Sequence, residues 1–369
     1  MKVAIVNCFD TFLERQTALL HFFQSRGDQV TAFISDFRHV QKAYRAEAPE
    51  GFTMLHAAAY KKNLSVQRMR SHSQYARSVY TALEQESWDL IWAIVPPNSL
   101  VKQCARYRTA HPATKLVLDV NDLWPESFPL GGMKKLPPFQ MWRSLRDRWL
   151  PEADCVVTEC DLFQKRLTIP EEKYGGTIYL CRSNDIPQPD SCPIPSDETW
   201  TLCYLGSINH IIDIDAITAM IVQLKRQRPV ILHIIGAGER QELLIQQAEQ
   251  AGATVVIYHG PVFDFQKKQA IFDQCHFGLN VMKSTVCVGL TMKSIDYLAG
   301  GLPLLNTIPG DTWDRIDQEG FGLNWSPDLE PNWCGFNQTQ GRTAARSFYE
   351  RELSYQTFSQ KVARVLARL

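Results

Sequence analysis

Lys293 and Asp296 are the side chains whose types and spacing most directly suggest chemistry, and both lie in residues 289–303. This stretch predicts a loop, a short helix that Thr291 can cap, and a strand that follows two consecutive glycines. A helix N-terminus presents unpaired N–H groups and positive potential, to which Lys293 would add a full charge, so the stretch predicts a phosphate site. Asp296 follows one turn later, where its carboxylate can accept hydrogen bonds from hydroxyl groups such as those of a ribose. A surface helix that carries an unrelated lysine and aspartate would show the same pattern.

The composition is that of an ordinary globular enzyme. The chain has 369 residues, which favours two domains over one, and its 45% hydrophobic and 21% charged content are typical of soluble enzymes. The formal net charge is zero, so no overall field favours nucleic acid as a partner. No apolar run approaches the roughly 18 residues that a membrane-spanning helix needs, and the N-terminus predicts a strand and not a signal peptide. We therefore expect a cytoplasmic protein.

The ten cysteines predict neither a zinc site nor disulfide bonds. None belongs to a C-x-x-C pair, and several lie within apolar, strand-like runs. This distribution is typical of buried free thiols in a reducing compartment.

The first half of the chain predicts a parallel α/β domain, because apolar strand-like runs alternate with helical patterns. Ligands bind at the carboxyl ends of the strands in such folds, so the loops after the predicted strands are candidate site segments. The polar and aromatic residues of these loops include Arg15, Asn98, Ser99, Asp122, Trp124 and Glu126. A sugar can stack on an aromatic face while carboxylates bind its hydroxyl groups, which favours a sugar site here. A helix-capping Asp122 and a core Trp124 would explain the same residues without a site.

Two basic stretches, residues 60–80 and 134–149, combine lysines and arginines with aromatic residues. Either could contact an anionic substrate or an anionic membrane surface. Each also fits an ordinary helix, with its charged face in solvent or its tryptophans packed inward. The sequence leaves these alternatives open.

The second half predicts another parallel α/β domain. The proline-rich residues 186–198 lack periodicity and predict a linker, after which strand-like and helical patterns alternate again. Gly206, Gly236 and Gly238 stand at the ends of predicted strands, where a backbone without side chains can approach a nucleotide.

Taken together, these features resemble the GT-B glycosyltransferases, and most closely the family 4-like group that builds bacterial surface polysaccharides. The resemblance extends over nearly the whole chain. Residues 118–127, Leu-Asp-Val-Asn-Asp-Leu-Trp-Pro-Glu-Ser, are similar to the group's D-x-x-D-L-W-P-E-S segment. Residues 232–239 are similar to its strand followed by G-x-G, and residues 291–303 to its P-S-K-x-x-E-Y-x-A-x-G-x-P segment.

The resemblance implies two Rossmann-like domains that face a central cleft. An acceptor-binding domain would comprise residues 1–185, and a nucleotide-sugar-binding domain residues 199–341, joined by the linker 186–198. Residues 342–369 would form a C-terminal helix that returns to the first domain.

The implied activity is transfer of a hexosyl unit, with retention of anomeric configuration, from a nucleoside-diphosphate sugar to a glycan or lipid-linked acceptor. The resemblance implies no metal and no cofactor, and it leaves peripheral contact with an anionic membrane open. Lys293 would lie beside the diphosphate, Asp296 would contact the ribose, and Asp122 would orient the acceptor hydroxyl. The implied donor-binding residues are Gly206, Ser207, Gly236, Gly238, Glu239, Val262 and Thr291. The implied acceptor-binding residues are Arg15, Asn98, Ser99, Trp124 and Glu126.

The sequence departs from the family pattern at three places. Val288 stands where the pattern often has a glutamate, Asp296 replaces a glutamate, and Ser207 follows Gly206 where an arginine or lysine is usual. Asp213 and Asp215 mimic a D-x-D metal motif, but they begin a predicted helix, so we interpret them as capping residues. Two alternatives stay open, a sugar-nucleotide 2-epimerase of the same fold and a non-catalytic partner that scaffolds another transferase.

Overall fold

The computed structural model describes residues 1–128, 131–183, 186 and 193–369. The chain forms two compact units. The first contains Met1–Asn184 together with Tyr355–Leu369, and the second contains Asp185–Ser354. Residues 187–192 of the predicted linker lie outside the described residues.

The first unit is built around a parallel sheet. Its strands are β1 (Lys2–Val6), β2 (Gln29–Ser35), β3 (Phe37–Arg38), β4 (Ala43–Tyr44), β5 (Phe52–Leu55), β6 (Leu90–Val95), β7 (Lys115–Val120), β8 (Cys155–Thr158) and β9 (Tyr174–Thr177). Its helices are α1 (Leu13–Ser25), α2 (Val66–Leu83), α3 (Asn98–Ala110), α4 (Pro137–Asp147) and α5 (Asp161–Gln164). Seven strands pair in the order β5-β2-β1-β6-β7-β8-β9, and β3 and β4 form a separate antiparallel hairpin. The strand order reverses between β1 and β6, and such a switch point is where open α/β sheets bind ligands.

The second unit repeats this design. Its strands are β10 (Trp200–Leu205), β11 (Val230–Ile235), β12 (Val255–Gly260), β13 (Phe277–Asn280), β14 (Leu304–Asn306) and β15 (Gly322–Asn324). Its helices are α6 (Ile214–Leu224), α7 (Gln241–Ala251), α8 (Phe265–Phe272), α9 (Met292–Ala299), α10 (Asp311–Glu319) and α11 (Gln338–Phe348). The six strands pair in parallel in the order β12-β11-β10-β13-β14-β15, so the switch point lies between β10 and β13. The predicted α/β class with two parallel sheets is confirmed.

The end of the chain returns to the first unit. After α11, a π-helical turn at Tyr349–Leu353 and the extended Ser354 interrupt the helical pattern. Helix α12 (Tyr355–Leu366) then packs Phe358, Val362 and Val365 into the core formed by strands and helices of the first unit. The stretch predicted as one returning helix therefore divides, with α11 in the second unit and α12 in the first.

One strand lies upstream of its predicted position. The run of residues 176–181, Gly-Thr-Ile-Tyr-Leu-Cys, predicts a strand there, whereas β9 spans Tyr174–Thr177. The apolar residues 178–181 favoured the later position, whereas two of the four residues of β9 are glycines, which are depleted in strands. At Gly175, however, an added Cβ would lie 2.4 Å from the Cys155 sulfur, so close pairing of β9 with β8 requires a glycine there.

Nine of the ten cysteines are described, and all nine are free thiols. Seven of them are buried, whereas Cys287 is partly buried and Cys334 is exposed. The tenth, Cys192, lies outside the described residues. No helix in the described part of the chain is long and apolar enough to span a bilayer.

Candidate functional site

Lys293 lies at the switch point of the second sheet. Its ammonium donates a long hydrogen bond of 3.4 Å to the carbonyl of Val281, the residue that follows β13. The same ammonium lies 4.7 Å from the ring centroid of Tyr204 on β10. The Tyr204 hydroxyl donates to the carbonyl of Ser207 at 2.8 Å, so the loop after β10 and the first turn of α9 meet around this ring. The structure therefore brings Lys293 and Ser207 to one edge of the sheet.

The N-terminus of α9 is held in place by a side-chain network. Thr291 is the N-cap, and its hydroxyl oxygen accepts a hydrogen bond from the amide of Ser294 at 3.3 Å, which confirms the predicted cap. The Thr291 hydroxyl also contacts Asn280 Oδ1 at 2.8 Å. Asn280 donates to Asn306, and Asn306 donates to Asn324, at 2.8 and 2.9 Å.

These three asparagines end the neighbouring strands β13, β14 and β15 and are aligned in register. Sequence reasoning missed this ladder. The available signal was the Leu-Asn pair that ends each of the three strands.

Burial changes the acidity of Lys293. The side chain is 9% exposed, and in the described part of the chain no carboxylate forms an ion pair with it. Desolvation therefore lowers the pKa of Lys293 to about 7, because water no longer stabilises its charged form. An anion beside this group would raise the pKa of Lys293 again, so the side chain would stay protonated.

Asp296 is occupied by a lysine that the sequence did not indicate. Its Oδ2 accepts a hydrogen bond from the ammonium of Lys268 on α8 at 2.7 Å, and both side chains are largely buried. The pair joins α8 to α9, 28 residues apart along the chain. The carboxylate implied to contact a ribose thus also stabilises the packing of these two helices.

The glycines of the loops after β10 and β11 allow the backbones of these two loops to pack directly against each other. A Cβ added at Gly236 would lie 2.0 Å from the carbonyl oxygen of Gly206, and one added at Gly238 would lie 2.3 Å from that of Ile208. Gly206 and Gly236 also adopt positive φ angles of 123° and 142°. The structure brings these three predicted site glycines together, and it gives a structural reason for each that does not depend on a ligand.

The remaining predicted donor residues lie at the surface or near it. Ser207 is exposed, and Val262 is partly buried in the segment after β12. Glu239 follows the Gly236 loop, and its carboxylate lies 3.3 Å from the imidazole of the exposed His210. The Ile208 amide donates to the carbonyl of Ala237 and the Arg240 amide donates to the carbonyl of Ile208, both at 3.0 Å, which keeps Glu239 beside the loop after β10.

Asp122 and Trp124 lie together at the carboxyl edge of the first sheet. The Asp122 carboxylate accepts hydrogen bonds from the Trp124 indole at 2.6 Å and from the amide of Leu123 at 2.8 Å. Burial raises the pKa of Asp122, while hydrogen bonds from Ser127, Trp124 and Leu123 oppose that rise. Trp124 is 7% exposed, and the guanidinium carbon of Arg68 lies 4.2 Å from its ring centroid. The face on which a sugar was predicted to stack is therefore covered by an arginine.

Helices α3 and α4 hold this segment, α4 through its contact with Glu126 and α3 through Asn98, beside Ser99 on the same helix. Glu126 forms two hydrogen bonds with the guanidinium of Arg146, at 2.6 and 3.2 Å. The Asn98 amide donates to the carbonyls of Trp124 and Trp142. Ser99 donates to the carbonyl of His72 at 3.0 Å. The predicted acceptor residues other than Arg15 thus lie around one segment, residues 122–126.

Arg15 has a different position from the one predicted. It is 1% exposed, and its guanidinium forms two hydrogen bonds of 2.8 Å with the carboxylate of Asp119 on β7. It also donates to the carbonyls of Ile178 and Tyr179. Its donors are directed into the protein, so Arg15 stabilises the fold and we omit it from the acceptor site proposed below.

Asp213 is the N-cap of α6, and its side chain accepts from the amide of Ala216 at 3.0 Å. This agrees with its interpretation as a capping residue. Within residues 1–128, 131–183, 186 and 193–369, no group of three or more histidine, cysteine, aspartate or glutamate side chains could hold a metal ion.

Proteins of known structure share this architecture. No protein-family model matches the chain, and no curated protein has a significantly similar sequence. HepE from Anabaena, solved in complex with UDP, matches with a TM-score of 0.67 at 14% identity over 100% of both chains. Sucrose-phosphate synthase from Thermosynechococcus elongatus matches with a TM-score of 0.67 at 11% identity, over 100% of this chain and 98% of its own. The lipopolysaccharide outer core galactosyltransferase WaaB matches with a TM-score of 0.65 at 14% identity over 100% of both chains.

At these identities the similarity establishes the fold alone. The chain has the GT-B fold, as the motifs of residues 118–127 and 291–303 predicted.

Proposed function

We propose that this chain is a retaining, metal-independent glycosyltransferase that moves a hexosyl unit from a nucleoside-diphosphate sugar to a glycan or lipid-linked acceptor in polysaccharide biosynthesis. The observation that carries the proposal is the position of Lys293, a buried ammonium at the switch point of the second sheet and in the first turn of α9. A positive group at that place suits a diphosphate, because the helix N-terminus adds its own positive potential.

The related structures support the choice of donor and product. HepE is described in complexes with UDP, with UDP and glucose, and with UDP-glucose. WaaB is described as a galactosyltransferase of the lipopolysaccharide outer core. We therefore expect a nucleoside-diphosphate hexose as donor and a surface saccharide, or its lipid-linked precursor, as acceptor.

In the proposed reaction, the bond between the anomeric carbon and the diphosphate oxygen breaks, and the acceptor oxygen takes its place. Negative charge grows on the departing diphosphate, which the Lys293 ammonium and the N–H groups of α9 would stabilise without rearrangement. Asp296, fixed by Lys268, would accept a hydrogen bond from the ribose. Asp122 would orient the acceptor hydroxyl, whose proton would pass to the departing diphosphate as the new bond forms.

The remaining donor residues would line the nucleotide. The joined loops that contain Gly206, Gly236 and Gly238 would allow it to approach the backbone, with Ser207, Glu239 and Val262 around it and Thr291 capping α9. Trp124, Glu126, Asn98 and Ser99 would shape the acceptor site. Because Arg68 covers the ring of Trp124, the acceptor would contact that arginine before it reaches the indole.

A panel of UDP-, GDP-, ADP- and dTDP-hexoses, incubated with the full chain with and without saccharide acceptors and analysed by mass spectrometry, tests the proposal. Transfer, or slow donor hydrolysis without acceptor, is the expected result. An epimerised nucleotide sugar formed without acceptor would indicate a 2-epimerase instead. Absence of calorimetric binding for every donor would indicate a scaffold partner.

Lys293→Ala tests the site within this assay. Loss of one preorganised charged contact is expected to cost ~2–4 kcal/mol of transition-state stabilisation, seen as a fall in kcat/KM. Lys267→Ala is the matched control, because Lys267 is an exposed lysine on α8 of the same unit. Equal turnover in the Lys293→Ala variant and the parent would refute the proposed role.

A further inference from the structure

Two cations of the first unit, Lys42 and Arg68, lie side by side, and the site described so far uses only Arg68, as the cover of the Trp124 ring. Lys42 ends the turn between β3 and β4, and Arg68 lies in the first turn of α2. We call Lys42 and Arg68, together with Tyr60 and Asn63 that both of them contact, the cationic cluster. It adjoins Trp124, the aromatic residue of the proposed acceptor site.

The two positive groups converge on one residue. The Lys42 ammonium donates to Asn63 Oδ1 at 2.6 Å, and the Arg68 guanidinium donates to the carbonyl of Asn63 at 2.8 Å. Both also flank the ring of Tyr60, with Lys42 4.0 Å and Arg68 5.8 Å from its centroid. Their direct partners are neutral, so the positive charge of the pair is not cancelled by these contacts.

Among the residues that the structure describes, no carboxylate pairs directly with the cluster. Burial lowers the pKa of Arg68 and outweighs the charge of Asp122, which acts to raise that pKa. In the described part of the chain neither Lys42 nor Arg68 forms a salt bridge, and the nearby Arg45 uses its guanidinium on Asp10 at 2.5 Å. The first turn of α2 contains no acidic residue, so the helix N-terminus adds positive potential at Arg68, where a cation is unfavourable. Burial, together with the charge of Arg68, lowers the pKa of Lys42 to about 8. Burial, mutual repulsion and the helix N-terminus all disfavour two cations at this place. Cations that are held together against such unfavourable terms are typical of a binding site.

Backbone strain and an unpaired donor occur at the same place. Lys42 has a φ of 57° and is the one non-glycine residue with positive φ among those that the structure describes. Such a conformation costs about 1–3 kcal/mol and is concentrated at functional sites. His72 is 1% exposed and receives a hydrogen bond from Arg68 at its Nε2, while its Nδ1 has no partner. A buried polar atom without a partner calls for a bound water, ion or ligand.

We propose that Lys42 and Arg68 form a subsite for an anionic group, phosphate or carboxylate, carried by the acceptor. The inference rests on the proposed function, since it places the group beside Trp124 and Asp122 at the carboxyl edge of the first sheet. The guanidinium gives one N–H to His72 and one to a backbone carbonyl, so its Nη1 and Nη2 atoms keep further N–H donors for the oxygens of such a group, and the ammonium adds a second charge. A neutral saccharide would bring no negative charge to either cation, which would leave the pair with the through-space attraction of Asp122 at Arg68. The acceptor is therefore an acidic saccharide or a phosphate-linked one.

Lys42→Gly separates binding from stability. The change removes the ammonium, and glycine adopts a φ of 57° without strain, so the melting temperature should stay the same or rise. Calorimetric titration with inorganic pyrophosphate, with glucuronate and with glucose is the measurement. We expect the parent to bind at least one of the two anions and not glucose, and Lys42→Gly to bind that anion about tenfold more weakly. Preference for pyrophosphate or for glucuronate identifies the anionic group.

Three further variants locate the effect. Val40→Gly loosens the same turn and keeps Lys42, and Arg77→Gln removes an exposed cation from the same helix, so both should bind like the parent. Lys293→Ala tests whether pyrophosphate occupies the second unit instead. Equal affinity in Lys42→Gly and the parent, or a loss confined to Lys293→Ala, would overturn the proposal. Anion binding is measured without turnover. Binding without transfer would contradict the proposed function alone, and transfer without binding would contradict the anion subsite alone.

Discussion

Buried cations in this chain fall into two kinds, those that pair with a carboxylate and those that do not. Arg15 pairs with Asp119 through two hydrogen bonds of 2.8 Å, and Lys268 pairs with Asp296 at 2.7 Å. Lys293 has a carbonyl and a ring face instead. Because a desolvated charge needs compensation, the paired cations are explained by the folded structure itself. The arginine of the cationic cluster in the first unit is also buried and has no salt bridge in the described part of the chain. It and Lys293 are therefore buried cations that an incoming anion would compensate.

Replacing Lys293 with methionine is expected to stabilise the second unit at neutral pH. Burial lowers the folded-state pKa of Lys293 to about 7 from 10.5. Between these pH values the unfolded chain binds more protons than the folded one, so the stability of the parent rises with pH. The methionine variant has no charged group to desolvate. Its free energy of unfolding should therefore exceed that of the parent by about 4 kcal/mol at pH 7 and by about 2 kcal/mol at pH 9. Urea unfolding at both pH values measures it.

The control for this experiment is Lys267→Met, which changes an exposed lysine of the same unit. Its effect on the free energy of unfolding should be small and nearly equal at the two pH values. If Lys293→Met were less stable than the parent at pH 7, the native contacts would have to favour the charged form, and the lysine would be structural.

The sequence could predict individual residues where the cause is local. Thr291 caps α9 because a threonine precedes the helix, and Asp213 caps α6 for the same reason. The partners of Asp296 and Arg15 lie 28 and 104 residues away. No pattern within a few turns indicates such a pair, so the sequence assigned Arg15 to a site and could not foresee Lys268.

At the scale of elements, the edge of the second sheet is shaped by loops that pack on one another. Gly236 donates its amide to the carbonyl of Gly260, and Gly206 donates to that of Ile235. The loops after β10, β11 and β12 therefore form a continuous layer of hydrogen-bonded backbone. The sequence predicted glycine at these strand ends for contact with a nucleotide, and the structure adds contact between the loops themselves.

Gly236→Ala tests this layer. The new Cβ would lie 2.0 Å from the carbonyl oxygen of Gly206, and the φ of 142° is strained for alanine. We expect the second unit to lose about 2–5 kcal/mol of unfolding free energy, from the clash and the strain together. Gly132→Ala is the control, because its Cβ would meet no atom within 4 Å. Unchanged stability of Gly236→Ala in urea unfolding would show that the loops separate easily.

Strands were predictable where burial on both faces makes them continuous apolar runs. Strand β6 spans Leu90–Val95, and every one of its six residues is buried. The β3–β4 hairpin was not predicted, because its strands have two residues each and three of the four residues are exposed. That hairpin carries Lys42, so the proposed anion subsite depends on an element that no periodicity indicates.

At the scale of the whole molecule, the chain forms the first unit, then the second, and then completes the first. The core of the first unit contains residues of β1, α1 and β7, and it also contains Phe358, Val362 and Val365 of α12. The guanidinium carbon of Arg15 lies 5.4 Å from the ring centroid of Phe358, so the last helix covers the buried Arg15–Asp119 pair. The second unit has its own core, which includes Leu202, Ile217 and Leu232.

Because α12 belongs to the first unit, we expect a change in its core residues to destabilise the first unit and not the second. Phe358→Ala removes a ring that is 2% exposed and should cost the first unit about 3–5 kcal/mol. Gln360→Ala, on the exposed side of α12, is the control and should cost little. Hydrogen exchange followed by mass spectrometry reads the two units separately, and we expect β1 and β7 to lose protection while β10 and β11 keep theirs. Equal losses in both sheets would mean that the two cores unfold as one cooperative block, and that α12 stabilises the whole chain and not the first unit alone.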